Sequence, residues 1–200
     1  SIGEPGTQLT LRTFHAGGTA GNIAANASIV AKNTARLEFE ELRTVDSIDE
    51  SGETVKVVVG RLAEARFVDV NTGIVLSTHN VPYGSKLYAS DGEVVEKGKL
   101  IAKWDPFNAV IVTEAAGKIE FESMIENVTY KADVDDATGL REIIIIESKD
   151  RTKVPSVHIT TEDGNLIRTY NFPVGGHVVV ENGQTVKAGD ILVKIPRAVG

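Results

Sequence analysis

The 200-residue chain is long enough for one large domain or two small ones, each with a real core. It contains no cysteine, which excludes disulfide scaffolds, thiolate zinc sites and cysteine nucleophiles together. Its 21 basic and 28 acidic side chains leave a net charge of −7, unsuited to generic phosphate binding, which needs clustered Lys and Arg. The chain opens Ser1-Ile2-Gly3-Glu4-Pro5-Gly6, without the charged and apolar regions of a signal peptide. No apolar run reaches the roughly 20 residues that span a bilayer, so no membrane is expected as a partner. The absence of an initial Met leads us to expect a chain that starts inside a longer protein.

Residues 1–27 carry one acid, Glu4, and one base, Arg12, and are rich in Gly, Ala and Thr. From about residue 28 the texture changes to short apolar–polar alternations. Leu37-Glu38-Phe39-Glu40, Val55-Lys56-Val57-Val58-Val59, Lys118-Ile119-Glu120-Phe121 and Ile143-Ile144-Ile145-Ile146 predict strands. Asn71-Thr72-Gly73, Asp91-Gly92, Asp163-Gly164 and Asn182-Gly183 predict the turns between strands. With no long amphipathic helix between them, such strands imply small barrels or sandwiches.

An internal repeat sets the domain count. Pro82 lies over Pro173, a shift of 91, and at that shift residues 65–105 align with 156–196 without a gap. Gly73 meets Gly164, Gly92 meets Gly183, Gly98 meets Gly189 and Lys103 meets Lys194. Upstream, Glu38 lies over Glu120, a shift of 82, and Arg36–Glu40 matches Lys118–Glu122. The second copy is therefore nine residues longer, and the extra residues are expected around Asp133–Gly139. A unit of roughly 80–90 residues repeated twice is a pair of domains, not a solenoid. The expected division is an arm, 1–27, and two domains, 28–107 and 108–200, with the boundary near Asp105-Pro106-Phe107-Asn108.

Val94–Ile101 and Thr185–Leu192 each place an apolar residue before a glycine and aliphatics after it. The glycine is expected to turn a tight corner at positive φ. Similar hairpins occur in barrel–sandwich hybrid domains, including those that carry biotin or lipoate. A carrier needs a lysine at the hairpin crest, and Trp104-Asp105-Pro106-Phe107 and Ile195-Pro196-Arg197 offer none, so a structural barrel is the better reading.

Other constellations are weak. Asp133, Asp135 and Asp136 with Gly139 lack the far ligand of a calcium loop and read as a solvated turn, so no metal site is assigned. His79, His158 and His177 are dispersed, with Tyr170, Phe67 and Lys86 opposite them in the other copy, and read as strand residues. Glu38-Phe39-Glu40-Glu41 reads as a solvated strand face. Asn26-Ala27-Ser28 and Asn127-Val128-Thr129 match the glycosylation pattern but carry little weight without a secretion signal. Nothing in 28–200 looks catalytic.

The first eighteen residues differ. Gly3-Glu4-Pro5-Gly6-Thr7-Gln8 and Arg12-Thr13-Phe14-His15-Ala16-Gly17-Gly18 resemble the trigger loop of the largest catalytic subunit of cellular RNA polymerases, in its bacterial form. The double barrel after it resembles the tandem sandwich–barrel hybrid insertion found inside that loop in many bacteria. The fold class expected is therefore mainly β, two tandem barrel–sandwich hybrid domains preceded by a short helical or disordered trigger-loop segment.

The resemblance implies that this loop closes over the incoming nucleoside triphosphate during DNA-templated RNA synthesis. The residue matching Leu11 packs on the nucleobase and that matching Gln8 lies near the ribose; those matching Arg12 and His15 face the triphosphate. Spacings of three and four from Gln8 to Leu11 and Arg12, and from Leu11 to His15, agree with one helix face. Arg12 and His15 are then the catalytic candidates and Gly17 and Gly18 the hinge. The resemblance places Mg2+ elsewhere in the parent subunit, with no cofactor in this stretch. It implies a cytoplasmic, nucleoid-associated enzyme whose partners are the other polymerase subunits, the nucleoside triphosphate, the template DNA/RNA hybrid and transcription factors. Isolated, the chain is expected to be inactive. The competing expectation is a non-catalytic pair of barrels for protein–protein interaction in transcription complexes.

Overall fold

A computed structural model describes residues 27–49, 51–134, 139 and 141–197. Among these the regular structure is entirely strand. The first repeat supplies β1 (Ser28–Val30), β2 (Ala35–Glu40), β3 (Thr44–Ile48), β4 (Thr54–Val58), β5 (Glu64–Val68), β6 (Val75–Asn80), β7 (Lys86–Leu87), β8 (Val94–Val95) and β9 (Leu100–Lys103). The second supplies β10 (Asn108–Val112), β11 (Gly117–Glu122), β12 (Tyr130–Val134), β13 (Arg141–Ile145), β14 (Ser156–Thr160), β15 (Leu166–Asn171), β16 (His177–Val178), β17 (Thr185–Val186) and β18 (Ile191–Pro196).

Each repeat forms a five-stranded and a four-stranded sheet. The first has the orders β1-β9-β7-β4-β3 and β6-β5-β2-β8. The second has β10-β18-β16-β13-β12 and β15-β14-β11-β17, the same orders advanced by nine strands. The fold is thus mainly β, as expected, and its paired antiparallel sheets agree with barrel–sandwich construction. The arm expected to be helical or disordered lies outside the described residues, except for Ala27.

Alternation explains the sheets. On β2, Ala35 and Leu37 are fully buried while Arg36 and Glu38 face outward; on β11, Ile119 is buried between Lys118 and Glu120. One core gathers Leu37, Val58, Phe67, Leu87, Val95 and Ile101; the other gathers Ile119, Ile145, Val157, Ile159, Val186 and Leu192. Each fully buried aliphatic contributes about 1.5–3 kcal/mol by leaving water. The described chain falls into two compact units. One joins the residues up to Thr44 with Val55–Asn108 and Arg197; the other joins Val45–Thr54 with Ala109–Pro196.

Turn chemistry closes the strands. Gly73, Gly92, Gly164 and Gly183 all have positive φ, between 74° and 88°. Gly98 and Gly189 sit at matching corners with φ of 93° and 89°. A Cβ at Gly98 would meet nothing within 4 Å, so conformation and not crowding selects glycine there.

The extra residues of the second copy are not where the sequence placed them. The β2–β3 connection of three residues, 41–43, becomes seven, 123–129, between β11 and β12. The five residues 59–63 between β4 and β5 become ten, 146–155. The hairpin around Asp133–Gly139 gains only one, with 135–140 standing for 49–53. Between β5 and β6 the second copy is one residue shorter, 161–165 against 69–74. Compensating length changes in loops leave a continuous apparent alignment, so β5 is offset from β14 by one residue relative to the ungapped match. His158 therefore occupies the position of Arg66, not of Phe67. Both lie opposite a threonine of the neighbouring strand, Arg66 against Thr78 and His158 against Thr169. A one-residue slip exchanges the two faces of a strand.

Candidate functional site

Gln8, Leu11, Arg12, His15, Gly17 and Gly18 lie outside the described residues, so their geometry carries no argument. Within the described residues, the polar chemistry is concentrated on the outer faces of the two four-stranded sheets.

On β14, the His158 ring touches two side chains. Its Nε2 lies 2.8 Å from Oε2 of Glu122 on β11, and its Nδ1 lies 2.8 Å from Oγ1 of Thr169 on β15. A carboxylate, an imidazole and a hydroxyl thus stand in line across three strands. In the first repeat, Arg66 on β5 donates from Nη2 to Oε2 of Glu40 at 2.8 Å and lies 3.6 Å from Glu64. Arg36 donates from Nε to Glu38 at 3.0 Å on the same face. The line Glu122–His158–Thr169 therefore stands where the other repeat has a permanently charged tie. It crosses an open strand face, and its substitution by arginine in the sister repeat fits a cross-strand tie better than an activated nucleophile. Such exposed pairs are worth about 0.2–1 kcal/mol each.

A cleft of about 510 Å³ opens in the second repeat. Phe121, Ile143 and Val178 supply apolar surface, and Arg141, Glu142 and His177 supply ionisable groups. The Arg141 guanidinium is 3.2 Å from Glu126, and Asn182 Oδ1 accepts the Phe121 N–H at 2.9 Å. The volume suits a small ligand, but the charges are mixed in sign and select none.

Two carboxyls are held below the usual range by local turns. Asp69 accepts from the backbone N–H groups of Thr72 and Asn71, which hold its charged form. Asp150 is held chiefly by the Thr152 hydroxyl, then by the Thr152 N–H. Both are turn-forming groups, Asp150 exposed and Asp69 half-buried. Asp133 lies on β12, 3.9 Å from Lys131; Asp135 and Asp136 are outside the described residues. Among those described, no three His, Asp or Glu groups are arranged to hold a metal ion. His79, His158 and His177 all lie on strands, as expected, with His79 edge-on to Phe67 at 5.7 Å. The Asn127-Val128-Thr129 match contains a fully buried threonine, whose hydroxyl is used inside its own loop.

The described residues thus define a class: a β module built twice, with its polar groups spent on cross-strand ties and turns. The whole-chain comparison names the family. The chain belongs to the RNA polymerase Rpb1 domain 5 family, whose model matches residues 1–199. It is 86% identical over 200 residues to the DNA-directed RNA polymerase subunit beta' of Phocaeicola vulgatus, and 84% identical to that of Bacteroides thetaiotaomicron. The subunit beta' of Flavobacterium johnsoniae is 51% identical over 197 residues. All of this chain is covered in the first two and 98% in the third, whereas it spans 14% of each relative's length. The family resemblance read from Ser1–Gly18 therefore holds over the whole chain.

Proposed function

We propose that this chain is the trigger-loop segment of a bacterial RNA polymerase β′ subunit, with 28–107 and 108–200 as two inserted domains that modulate the loop's motion and contacts. The observation that carries the reading is similarity to a stretch of β′ subunits over the whole of this chain, which contains the Gly3–Gly18 motif. In this reading Leu11 packs on the nucleobase of the incoming nucleoside triphosphate and Gln8 approaches the ribose. Arg12 stabilises charge on the leaving pyrophosphate and His15 positions phosphate oxygens. Gly17 and Gly18 let the loop close. Mg2+ belongs to other parts of the parent subunit, and no step at a metal is assigned to these residues. The partners are the other subunits, the triphosphate and the template hybrid, within the cytoplasm. Among the described residues no helix is long and apolar enough to cross a membrane. Alone, the chain is inert.

The test belongs to the whole polymerase. His15→Ala is expected to slow nucleotide addition about ten- to a hundredfold, equivalent to about 1.4–2.7 kcal/mol. His15→Gln, which keeps a donor, is expected to slow it much less. Gln and Ala variants with coincident rates across the working pH range would replace positioning by obligatory proton transfer. Full activity in both would remove His15 from the site.

The second reading, a protein-interaction module, is favoured by one observation: aliphatic side chains such as Ile74, Leu62 and Val174 stand more than half exposed on the barrels. The two readings are compatible, because an insertion can act through its surface while the loop acts at the active site.

A further inference from the structure

The strand orders leave β6 and β15 at matching ends of the two four-stranded sheets. Among the described residues, β6 pairs with β5 alone and β15 with β14 alone. Both are six residues long and solvent-exposed at every position but the fifth. Long exposed edges invite pairing with other chains, and proteins blunt them with bulges, prolines or charged side chains. Both strands carry the bulge: Leu76 is the extra residue between Val75 and Ser77, and Ile167 between Leu166 and Arg168. Only β15 adds a charge, Arg168. The matching residue of β6 is Ser77, and Val75-Leu76-Ser77-Thr78-His79-Asn80 contains no charged residue and no proline. Beyond the bulge, Ser77–Asn80 runs in regular register against Glu64–Phe67. Beside it, Ile74, Val75 and Leu76 form an aliphatic step, exposed by 62, 49 and 46%.

The charges around this edge point to its occupant. At one end stands Asp69, which two backbone N–H groups hold in its charged form. At the other end Glu64 lies opposite Asn80, with Glu40 on the next strand opposite Glu64. Of the cations near this edge, Arg66 is shared between Glu40 and Glu64, Arg36 is paired with Glu38, and Lys32 lines a small pocket with Leu76, Ser77 and His79 on one face of the strand rather than at its ends. A second copy of this chain, in either orientation, would bring acidic ends against acidic ends. A strand ending in Lys or Arg would meet complementary charge at both.

We propose that the outer edge of β6 is a docking site for one extended segment of another protein, aliphatic at alternate positions and basic at its ends. Main-chain hydrogen bonds to Ser77–Asn80 supply the pairing, and the aliphatic step at Ile74–Leu76 takes an apolar side chain of the segment. This goes beyond the polymerase reading and does not depend on it. The sister strand β15, closed by Arg168, is the built-in control.

The experiment titrates the 200-residue chain with a synthetic peptide of alternating valine and threonine carrying two lysines at each end. A second peptide replaces those lysines with glutamates. The lysine peptide is expected to slow amide exchange at Ser77–Asn80 and not at Thr169–Asn171. Ser77→Arg, an exposed substitution that copies β15, is expected to weaken binding at least about tenfold while leaving the melting temperature unchanged. The glutamate peptide is expected to bind at least about tenfold more weakly than the lysine one. Equal binding of both peptides, unchanged binding by Ser77→Arg, or protection elsewhere than β6 would overturn the proposal. So would sedimentation showing that the chain alone dimerises through β6 and that Ser77→Arg dissolves the dimer.

Discussion

Single residues here act mostly through the backbone they hold, and two kinds can be separated by experiment. The Asp69 residue is half-buried, and the N–H groups of Thr72 and Asn71 favour its charged form and lower its pKa from 3.8. A folded-state value below the unfolded one adds stability that is complete above the unfolded value and disappears as pH falls through the folded one. Asp69→Ala is therefore expected to destabilise the loop at neutral pH. Its deficit against the parent chain should shrink on acidification through and below 3.8. A carboxyl resonance that titrates at or above 3.8 would contradict the hydrogen-bonding account. Glycines give the second case. Gly98 has open space around a missing Cβ but a φ of 93°, so Gly98→Ala pays only backbone strain, about 1–2 kcal/mol. At Gly117 a Cβ would lie 2.6 Å from the Thr160 carbonyl oxygen and 2.7 Å from an Ile159 methyl. Gly117→Ala must shift β11 from β14, and is expected to cost more than Gly98→Ala in urea melts. The reverse order would mean that β11 yields easily.

At the scale of elements, strand identity was legible and loop length was not. The alternation in Arg36–Glu40 and Lys118–Glu122 marks the inner and outer faces unambiguously, and the shared offset of 82 carries through β2 and β11. Glu41 and Ser123 keep the same offset and the same left-handed backbone, with φ of 55° and 57°. Their dissimilar side chains gave no sign of it, since neither is glycine. Beyond them the copies diverge where the sequence has no periodic signal. The seven-residue connection 123–129 is folded around Thr129, a fully buried residue whose hydroxyl accepts from the Ile125 N–H at 2.8 Å and donates to the Ser123 carbonyl at 2.7 Å. A threonine in a polar stretch looks like any loop residue until that burial is known. Thr129→Val keeps the shape but removes the partner of the Ile125 N–H and of the Ser123 carbonyl, which is expected to cost about 0.5–1.5 kcal/mol for each bond lost. Thr129→Ser should recover most of it, and a Ser variant as unstable as Val would assign the loss to packing of the methyl. The proposed site differs in kind: Gly3–Gly18 lies outside the described residues and its roles are proposed through family resemblance, since no periodicity in the chain points to a nucleotide contact.

For the whole molecule, the doubled strand order raises the question of whether the two cores unfold as one. The core clusters share no residue: Leu37, Val58 and Ile101 belong to the first, Ile119, Ile145 and Leu192 to the second. Leu37 and Ile119 are equivalent, each fully buried at the third position of a strand lying between two partners of its sheet. Truncating either to alanine removes comparable apolar surface and leaves a cavity, at about 2–5 kcal/mol. Because additivity and independence follow from unshared partners, Leu37→Ala is expected to lower one unfolding transition and Ile119→Ala a different one. Amide exchange provides the readout: β2 and β5 should lose protection in the first variant while β11 and β14 keep theirs, and the reverse in the second. If both variants lower protection equally in all four strands, the repeats form one cooperative unit. One cooperative unit would transmit any load on β6 to the second repeat, whereas independent cores confine it to the first.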